Sequence, residues 1–316
     1  MKSGIRIGVS TCLLGEKVRY DGGHKLDRFV TEVLGPLVEF VPVCPEYEAG
    51  FGIPREALRL IGDPAAPRLV TQKTGVDVTE RMQSWIGPKL RELDGLDLCG
   101  FIFKSRSPSS GMERVKVYDE KGNSRKAGSG LFAAAFMKRF PLVPVEEEGR
   151  LNDVHLRENF IVRVFAFRRW KDLLKGKAGR GEIVEFHGRH KYLLMAHSPS
   201  LLKKLGALVA SVKEIPQGEF IARYEVLLMD ALRQRATVKK NVNALTHMAG
   251  YFKKILDPRE KEELRDVIEQ YGREEIPLIV PVVLIRHYVR RYGVDYLEGQ
   301  YYLEPHPGEL KLRNHA

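Results

Sequence analysis

The stretch that decides the fold lies near the start of the chain, where residues 5–23 read IRIGVSTCLLGEKVRYDGG. Ile5, Ile7 and Val9 alternate with smaller or polar residues, and this period of two predicts a β-strand. The strand gives way to a loop at Cys12. Because binding sites in open α/β sheets form where strands end, a cysteine at this point is a candidate site residue.

The same arrangement occurs twice more. One apolar run, residues 40–43, ends at Cys44, and another, residues 98–103, contains Cys99. Residues 115–118 form a further predicted strand, after which a turn rich in Asp and Gly follows. The segments between the strands favour helices, which we predict at residues 26–38, 79–93 and 131–140. A β-α-β-α-β order with site-like loops after successive strands predicts a Rossmann-like, doubly wound open sheet.

Composition predicts a folded protein of about two domains. The chain has 316 residues, of which 43% are apolar, and these are enough to form sizeable cores. The formal net charge is +11, which favours an acidic partner such as nucleic acid, although a solvated basic surface is the simpler alternative. There is no apolar run of transmembrane length and no signal-like segment at the start, so we expect a cytoplasmic protein with no membrane partner.

The positive charge is concentrated past the midpoint. Residues 1–150 contain 23 Lys and Arg against 20 Asp and Glu, whereas residues 151–250 contain 18 against 9. The pattern also changes near residue 150, where short apolar runs with Gly and Pro give way to long segments with a period of 3.6 residues. We therefore predict an α/β domain over residues 1–150 and an all-α domain over residues 151–316.

The three cysteines are candidate ligands for a soft metal. Thiolates prefer zinc, copper(I) or iron–sulfur clusters, and cysteines at separate strand ends can converge. No C-x-x-C pair is present, which argues against a zinc ribbon and a thioredoxin motif. Three thiolates would leave one iron of a cubane cluster open to a substrate atom. Glu46 could move protons beside such a metal, and Ser107 could orient a substrate oxygen or water. Three inert core cysteines are the alternative.

The motifs of this half resemble those of the thiouracil desulfidase (TudS) family. The matching stretches are residues 10–15, 19–22, 43–46 and 104–109. The resemblance implies a 4Fe–4S cluster held by three cysteines, whose free iron takes a thiocarbonyl sulfur while water replaces it at carbon without net redox. It also implies that Cys12 and Cys44 are cluster ligands, and that Glu46 and Ser107 are the acid/base and polarising groups.

The chain departs from the family pattern at the third ligand. The family has Ser-Pro-Ser-Cys-Gly, whereas this chain has Ser-Pro-Ser-Ser-Gly, with Ser110 at the ligand position. A serine oxygen is a hard donor and binds cluster iron poorly unless it is deprotonated. Cys99 is the remaining thiol and the candidate third ligand. Ligation by Ser110, or a weakened or lost cluster, are the alternatives.

The second half resembles the YbgA-type helical domain from about residue 163 onward. The matching stretches are residues 190–192, 196–198 and 250–252. His190 and His197 are at helical spacing on an apolar face, which is more typical of core histidines than of metal ligands.

The pairing of the two domains resembles the bacterial tRNA 4-thiouridine desulfidases, and this resemblance implies tRNA as the substrate. Phosphate neutralisation would require basic residues. The densest basic run is Arg168, Arg169, Lys171, Lys175, Lys177 and Arg180, and the first four of these are the candidate RNA contacts. Trp170 and Phe167 are either stacking platforms or core residues. Two alternatives remain: a desulfidase of free thiobases such as thiouracil, with the helical domain as a lid or partner surface, and a catalytically silent RNA-binding protein.

Overall fold

The computed structural model describes residues 4–176 and 178–314. The chain divides into two compact units between Asp153 and Val154. Within the described residues, every helix is too short or too polar to cross a membrane.

The first unit contains strands and helices in alternation. Its strands are β1 Arg6–Ser10, β2 Glu39–Val43, β3 Leu58–Ile61, β4 Arg68–Thr71, β5 Gly100–Phe103, β6 Val115–Tyr118, β7 Ser124–Gly128 and β8 Val145–Glu147. Its α-helices are α1 Thr79–Asp94 and α2 Leu131–Arg139. The predicted α/β class is therefore confirmed.

The predicted opening strand is the centre of a parallel sheet with the order β2-β1-β5-β8. Ile7 and Val9 are completely buried, as their alternation predicts. A Cβ atom at Gly8 would lie 2.2 Å from the ring of Phe101 on the neighbouring strand, so only glycine lets the two strands pair here. Because all four strands run in the same direction, their carboxyl ends lie at one edge of the sheet.

A second sheet, which sequence analysis did not predict, has the order β4-β3-β6-β7. β3 pairs antiparallel with β4 and parallel with β6, and β6 pairs antiparallel with β7. The strand at 115–118 was predicted, but β3 and β4 are only four residues each and carry Arg59 and Arg68, so their apolar signal is weak. The predicted open sheet is present as the parallel sheet, and the second sheet is an addition to it.

The predicted helix at 26–38 was wrong in extent. Only Phe29–Leu34 is helical, as a single wide π-type turn, and Asp27 caps it by accepting a 2.9 Å hydrogen bond from the Val30 N–H. By contrast, α1 and α2 lie where they were predicted. The Phe132 and Phe136 side chains of α2 pack on the aromatic residues of β5, and the Phe101–Phe136 ring centroids are 4.7 Å apart.

The described part of the second unit is built from helices, which confirms the all-α prediction. They are α3 Val154–Lys175, α4 Arg180–His197, α5 Pro199–Ala210, α6 Gln217–Arg233, α7 Val238–Ala249, α8 Pro258–Gly272, α9 Ile279–Tyr292 and α10 Asp295–Glu298. The fully buried Trp170 packs against Tyr224 with ring centroids 4.9 Å apart, and Phe186 packs against the same indole. Trp170 is therefore a core residue in this structure and not a stacking platform.

Candidate active site

A cavity of about 390 Å³ lies at the carboxyl edge of the parallel sheet. Cys12 lies in the short turn that follows β1, and Cys44 is the first residue after β2. The loop after β5, residues 104–110, completes the lining. Three strand ends therefore bring two thiols and a serine-rich loop to one place, which is where an open α/β sheet forms its sites.

Of the two cavity thiols, Cys12 is buried and Cys44 is half-buried. Burial, with the Cys44 thiol nearby, raises the pKa of Cys12 to about 11. Burial also raises the pKa of Cys44, and the carboxylate of Glu46 adds to that effect. Without a bound cation the two thiols therefore stay protonated at neutral pH, and a metal would have to supply the charge that converts them to thiolates.

Glu46 is held by a buried arginine. The Arg55 Nε and Nη2 donate hydrogen bonds of 3.0 and 2.8 Å to Glu46 Oε2, and the two side chains are only 6% and 14% exposed. Arg55 also donates to the backbone carbonyls of Val18 and Gly52. The second oxygen, Glu46 Oε1, accepts a 2.8 Å hydrogen bond from the Ser109 hydroxyl. This geometry fixes the carboxylate toward the serine loop.

The serine loop connects the two predicted catalytic residues. Ser107 Oγ lies 3.0 Å from Ser109 Oγ, and Ser109 Oγ in turn reaches Glu46. Ser107 Oγ also accepts hydrogen bonds from the backbone N–H groups of Ser109 and Ser110, which locks the turn. A continuous chain of hydrogen-bonding groups therefore runs from Ser107 through Ser109 to the carboxylate.

The amino end of α2 holds this loop from behind. The backbone N–H of Leu131 donates to Pro108 O, and those of Phe132 and Ala133 donate to Ser109 O, so loop carbonyls satisfy donors that a helix leaves open. A Cβ atom at Gly130 would lie 2.5 Å from the backbone carbon of Ser109. The close approach therefore requires glycine at position 130.

Carboxylates from β8 and the residue after it fix the loop from the other side. Glu147 Oε1 accepts a 2.7 Å hydrogen bond from the Met112 N–H, and burial raises the pKa of Glu147. Glu148 accepts from the backbone N–H and hydroxyl of Ser105, both at 2.7 Å, and pairs with Lys104. These carboxylates therefore hold the loop at both of its ends.

Comparison with known proteins identifies both halves. Residues 7–148 match the family described as 2-thiouracil desulfurase, and residues 191–307 match the family described as protein of unknown function DUF1722. The chain belongs to both families.

Two curated proteins and one solved structure are similar to this desulfurase–DUF1722 chain. It is 30% identical over 158 residues to the YbgA protein of Escherichia coli (strain K12), across 50% of this chain and 94% of that protein. It is also 30% identical over 152 residues to the YbbK protein of Bacillus subtilis (strain 168), across 46% and 97% respectively. The solved structure is the [4Fe-4S]-dependent thiouracil desulfidase TudS. It is 28% identical to this chain, the match covers 47% of this chain and 94% of that one, and the TM-score is 0.38.

The desulfurase unit offers a soft metal two thiols and one hydroxyl. Within the described residues, no three His, Cys, Asp or Glu side chains are placed to hold a metal ion. Ser110 lines the same cavity as Cys12 and Cys44 and is 4% exposed. Cys12 and Cys44 therefore offer thiols, which bind cluster iron well. Ser110 offers a hydroxyl, which binds it only when deprotonated.

Cys99 does not reach this cavity, so its prediction as third ligand is corrected. It is completely buried, and its backbone N–H donates to Arg6 O at the amino end of β1. Cys12 follows the opposite end of that five-residue strand. Along the strand direction the two cysteines are therefore roughly 15 Å apart. Cys99 precedes its strand where Cys12 and Cys44 follow theirs. In this structure it is a core residue.

Of the basic run in the DUF1722 unit, Arg168, Arg169, Lys171 and Lys175 lie on α3, and Arg180 is the first residue of α4. Arg169 is half-buried, donates to His190 Nε2 and Pro305 O, and lies 4.0 Å from the centre of the Tyr301 ring, so protein groups already engage it in this structure. Arg168 pairs with Asp172 at 2.7 Å.

The remaining cations of that run differ in their surroundings. The Lys171 Nζ lies 4.5 Å from the Phe167 ring, while Lys175 and Arg180 are exposed. Phe167 itself is 3% exposed, so it is a core residue and not a stacking platform. Lys177 lies outside the described residues.

The two predicted core histidines each have a backbone partner. His190 Nδ1 lies 2.7 Å from Phe186 O, and His197 Nδ1 lies 2.7 Å from Gln234 O. A carbonyl can only accept, so each ring carries its proton on Nδ1. Burial lowers the pKa of His197 to about 4 and that of His190 well below its usual value, so both rings are neutral at physiological pH.

Sequence reasoning missed two site residues. Arg55 lies in the Gly- and Pro-rich segment after Cys44, where no local signal singles out the arginine. Ser109 lies within the matching serine motif, two residues from Ser107. Its role becomes visible only when Glu46 is placed 2.8 Å away.

Proposed function

We propose that this protein removes sulfur from a thiolated pyrimidine, with 4-thiouridine in tRNA as the substrate and uridine as the product. The observation that carries the proposal is the convergence, on one cavity, of the Cys12 and Cys44 thiols with the hydrogen-bonded chain that ends at Glu46. Membership of the 2-thiouracil desulfurase family supports a thiolated base as the reacting group. A location in the cytoplasm, where tRNA is found, is part of the proposal.

A 4Fe–4S cluster is the proposed cofactor. Cys12 and Cys44 would hold it, with Ser110 at the third corner. When bound, the cluster supplies an iron with high affinity for sulfur and the positive charge that converts the buried thiols to thiolates. The thiols of Cys12 and Cys44, which follow β1 and β2, are the soft donors that such a cluster requires.

The reaction is a hydrolytic exchange without net electron transfer. The carbon–sulfur bond of the thiocarbonyl breaks, a carbon–oxygen bond to water forms, and the sulfur leaves as sulfide. Glu46 Oε1 accepts a proton from the attacking water and returns it as the sulfur departs. Ser107 orients the water or the substrate oxygen, and Ser109 relays between that hydroxyl and the carboxylate. Arg55 holds Glu46 in place through two hydrogen bonds.

The charge distribution supports a polyanionic substrate. A free thiobase needs only the cavity, whereas a nucleotide within tRNA also requires neutralised phosphates. Residues 151–250 carry twice as many basic as acidic side chains.

Anaerobic reconstitution with iron and sulfide tests the proposal. We expect the absorption and EPR spectra of a 4Fe–4S centre and release of sulfide from tRNA that contains 4-thiouridine. Cys12→Ala and Cys44→Ala should each abolish the cluster spectrum, because one thiolate cannot hold a cubane. Full cluster occupancy in both variants would refute the assignment. Turnover of free 2-thiouracil without any turnover of the tRNA would refute the substrate.

Ser110 favours one second candidate, a catalytically silent RNA-binding protein. If the serine oxygen cannot serve as a ligand, the site holds only two thiols and the cluster is lost. Such a protein would bind tRNA but remain colourless after anaerobic reconstitution. The spectrum of the reconstituted wild-type protein therefore separates the two functions.

A further inference from the structure

A second cavity, of about 630 Å³, lies on the sheet formed by β3, β4, β6 and β7. Most of its charged lining is positive. We define the basic groove by the five cations Arg59, Arg106, Arg114, Lys116 and Lys126.

The basic groove adjoins the active-site cavity. Five residues line both spaces, namely Leu58, Gln72, Ser105, Arg106 and Pro108. Arg106 stands at the junction and is exposed. A polymer lying in the groove could therefore place one of its units in the cavity without leaving the protein surface.

The acidic residues of the groove do not neutralise these cations. Glu113 pairs with Arg150 at 2.6 Å, and Glu147 accepts from the Met112 N–H. Arg106 and Arg114 are exposed and form no ion pair with any described residue. The groove therefore carries an uncompensated positive charge beside the reaction site.

The two lysines lie directly opposite each other on paired strands. Lys116 of β6 and Lys126 of β7 are cross-strand partners, and both are exposed without an ion pair among the described residues. Like charges at such a position repel and destabilise the sheet. An anion bound between them would remove this repulsion. The arrangement therefore favours anion binding, although it does not stabilise the fold.

Two other features point to a ligand. Arg59 stacks over the Tyr118 ring at 5.4 Å, and its Nε is buried without a hydrogen-bond partner among the described residues. Arg106 and Arg114 both adopt left-handed backbone conformations, with φ of 61° and 55°. Non-glycine residues rarely adopt this conformation, and such strain is concentrated at functional sites.

We propose that the basic groove binds the phosphate backbone of the RNA strand whose thiolated base enters the active-site cavity. This inference rests on the proposed function and names the surface that makes a polymeric substrate possible. A base embedded in RNA must leave its stack to reach the cavity, so the flanking phosphates need to be held close to the entrance. The groove is continuous with that entrance, whereas Arg168 and Arg169 are already engaged by protein groups.

The test compares two double variants of the full chain that remove the same charge from one hairpin. The groove variant is Lys116→Gln/Lys126→Gln. The control is Lys121→Gln/Arg125→Gln, which changes exposed residues that do not line the groove. Binding of unmodified tRNA is measured over a range of salt concentrations, and turnover is measured on tRNA with 4-thiouridine and on free 2-thiouracil.

We expect the groove variant to bind tRNA about tenfold more weakly and to lower the log–log salt slope by about two, one for each lost contact. Its turnover of 2-thiouracil should equal that of the wild type, because a free base has no phosphate. Equal tRNA binding by the groove variant and the control would overturn the inference. A wild-type protein that releases sulfide from neither substrate would instead refute the proposed function, since tRNA binding does not depend on turnover.

Discussion

Replacing Glu46 with glutamine tests both the proposed acid/base role of this carboxylate and its pairing with Arg55. Glu46→Gln preserves the shape of the side chain, and with its oxygen toward Arg55 its amide NH2 group can donate to the Ser109 hydroxyl in place of accepting from it. It removes the negative charge opposite Arg55, whose side chain is only 6% exposed. Leaving a buried charge without its partner costs about 3–5 kcal/mol. We expect the lower end, about 3 kcal/mol, because the glutamine oxygen can still accept one hydrogen bond from Arg55.

Hydrogen-exchange mass spectrometry in increasing urea measures this loss in the desulfurase unit separately from the DUF1722 unit. Sulfide release should fall by about a hundredfold or more, since glutamine cannot accept a proton. The double variant Glu46→Gln/Arg55→Gln removes both charges and should recover part of the free energy of unfolding while remaining inactive. Normal turnover by Glu46→Gln would exclude it as the acid/base group. An unchanged free energy of unfolding would show that the pair with Arg55 is not structural.

Three further predictions concern the loop, the third ligand and pH. Cys99→Ala should leave the cluster spectrum unchanged, and loss of the cluster in this variant would contradict the position assigned to Cys99. Ser110→Cys should slow cluster loss in air, and faster loss would contradict the position assigned to Ser110. Gly130→Ala should lower activity through displacement of Ser109, with the far-ultraviolet circular dichroism preserved, and wild-type activity would refute the steric argument. The folded-state pKa of His197, about 4, lies below the unfolded value of 6.5. The unfolded chain therefore takes up the proton first, and His197 by itself should lower the stability of the DUF1722 unit by about 3 kcal/mol as the pH drops from 6.5 to 4. Burial also lowers the pKa of His187, His190 and His306 of the same unit, and these histidines add to the loss, so His197→Asn should reduce it by about that amount and not abolish it in urea titrations at each pH.

The sequence by itself determined the central strand, the positions of two cysteines after strands and the helical character of the second unit. The alternation of Ile7 and Val9 predicted the central strand, because a pleated strand places alternate residues on one face. The positions of Cys12 and Cys44 after apolar runs predicted their meeting, since parallel strands share a carboxyl edge. The helices of the second unit followed from a repeat of 3.6 residues, which is a property of the chain itself.

Tertiary structure alone decided what depends on pairing between distant segments. Cys99 has the same residue type as the two cavity cysteines, but it precedes its strand, so register places it at the other end of the sheet. The contact of Ser109 with Glu46 joins residues 63 positions apart, and the contact of Arg55 with Glu46 spans a segment of nine residues whose path has no local periodic signal.

The basic groove also depends on pairing between segments that are distant in sequence. The hairpin of β3 and β4 meets that of β6 and β7 through the pairing of Leu60 with Val117, and this pairing brings cations that are scattered along the sequence to one surface. Sequence periodicity reports which face of an element is apolar, but it does not report which strand lies beside it. Long-range pairing is chosen by the packing of the whole unit, and for that reason the groove became visible only in the fold.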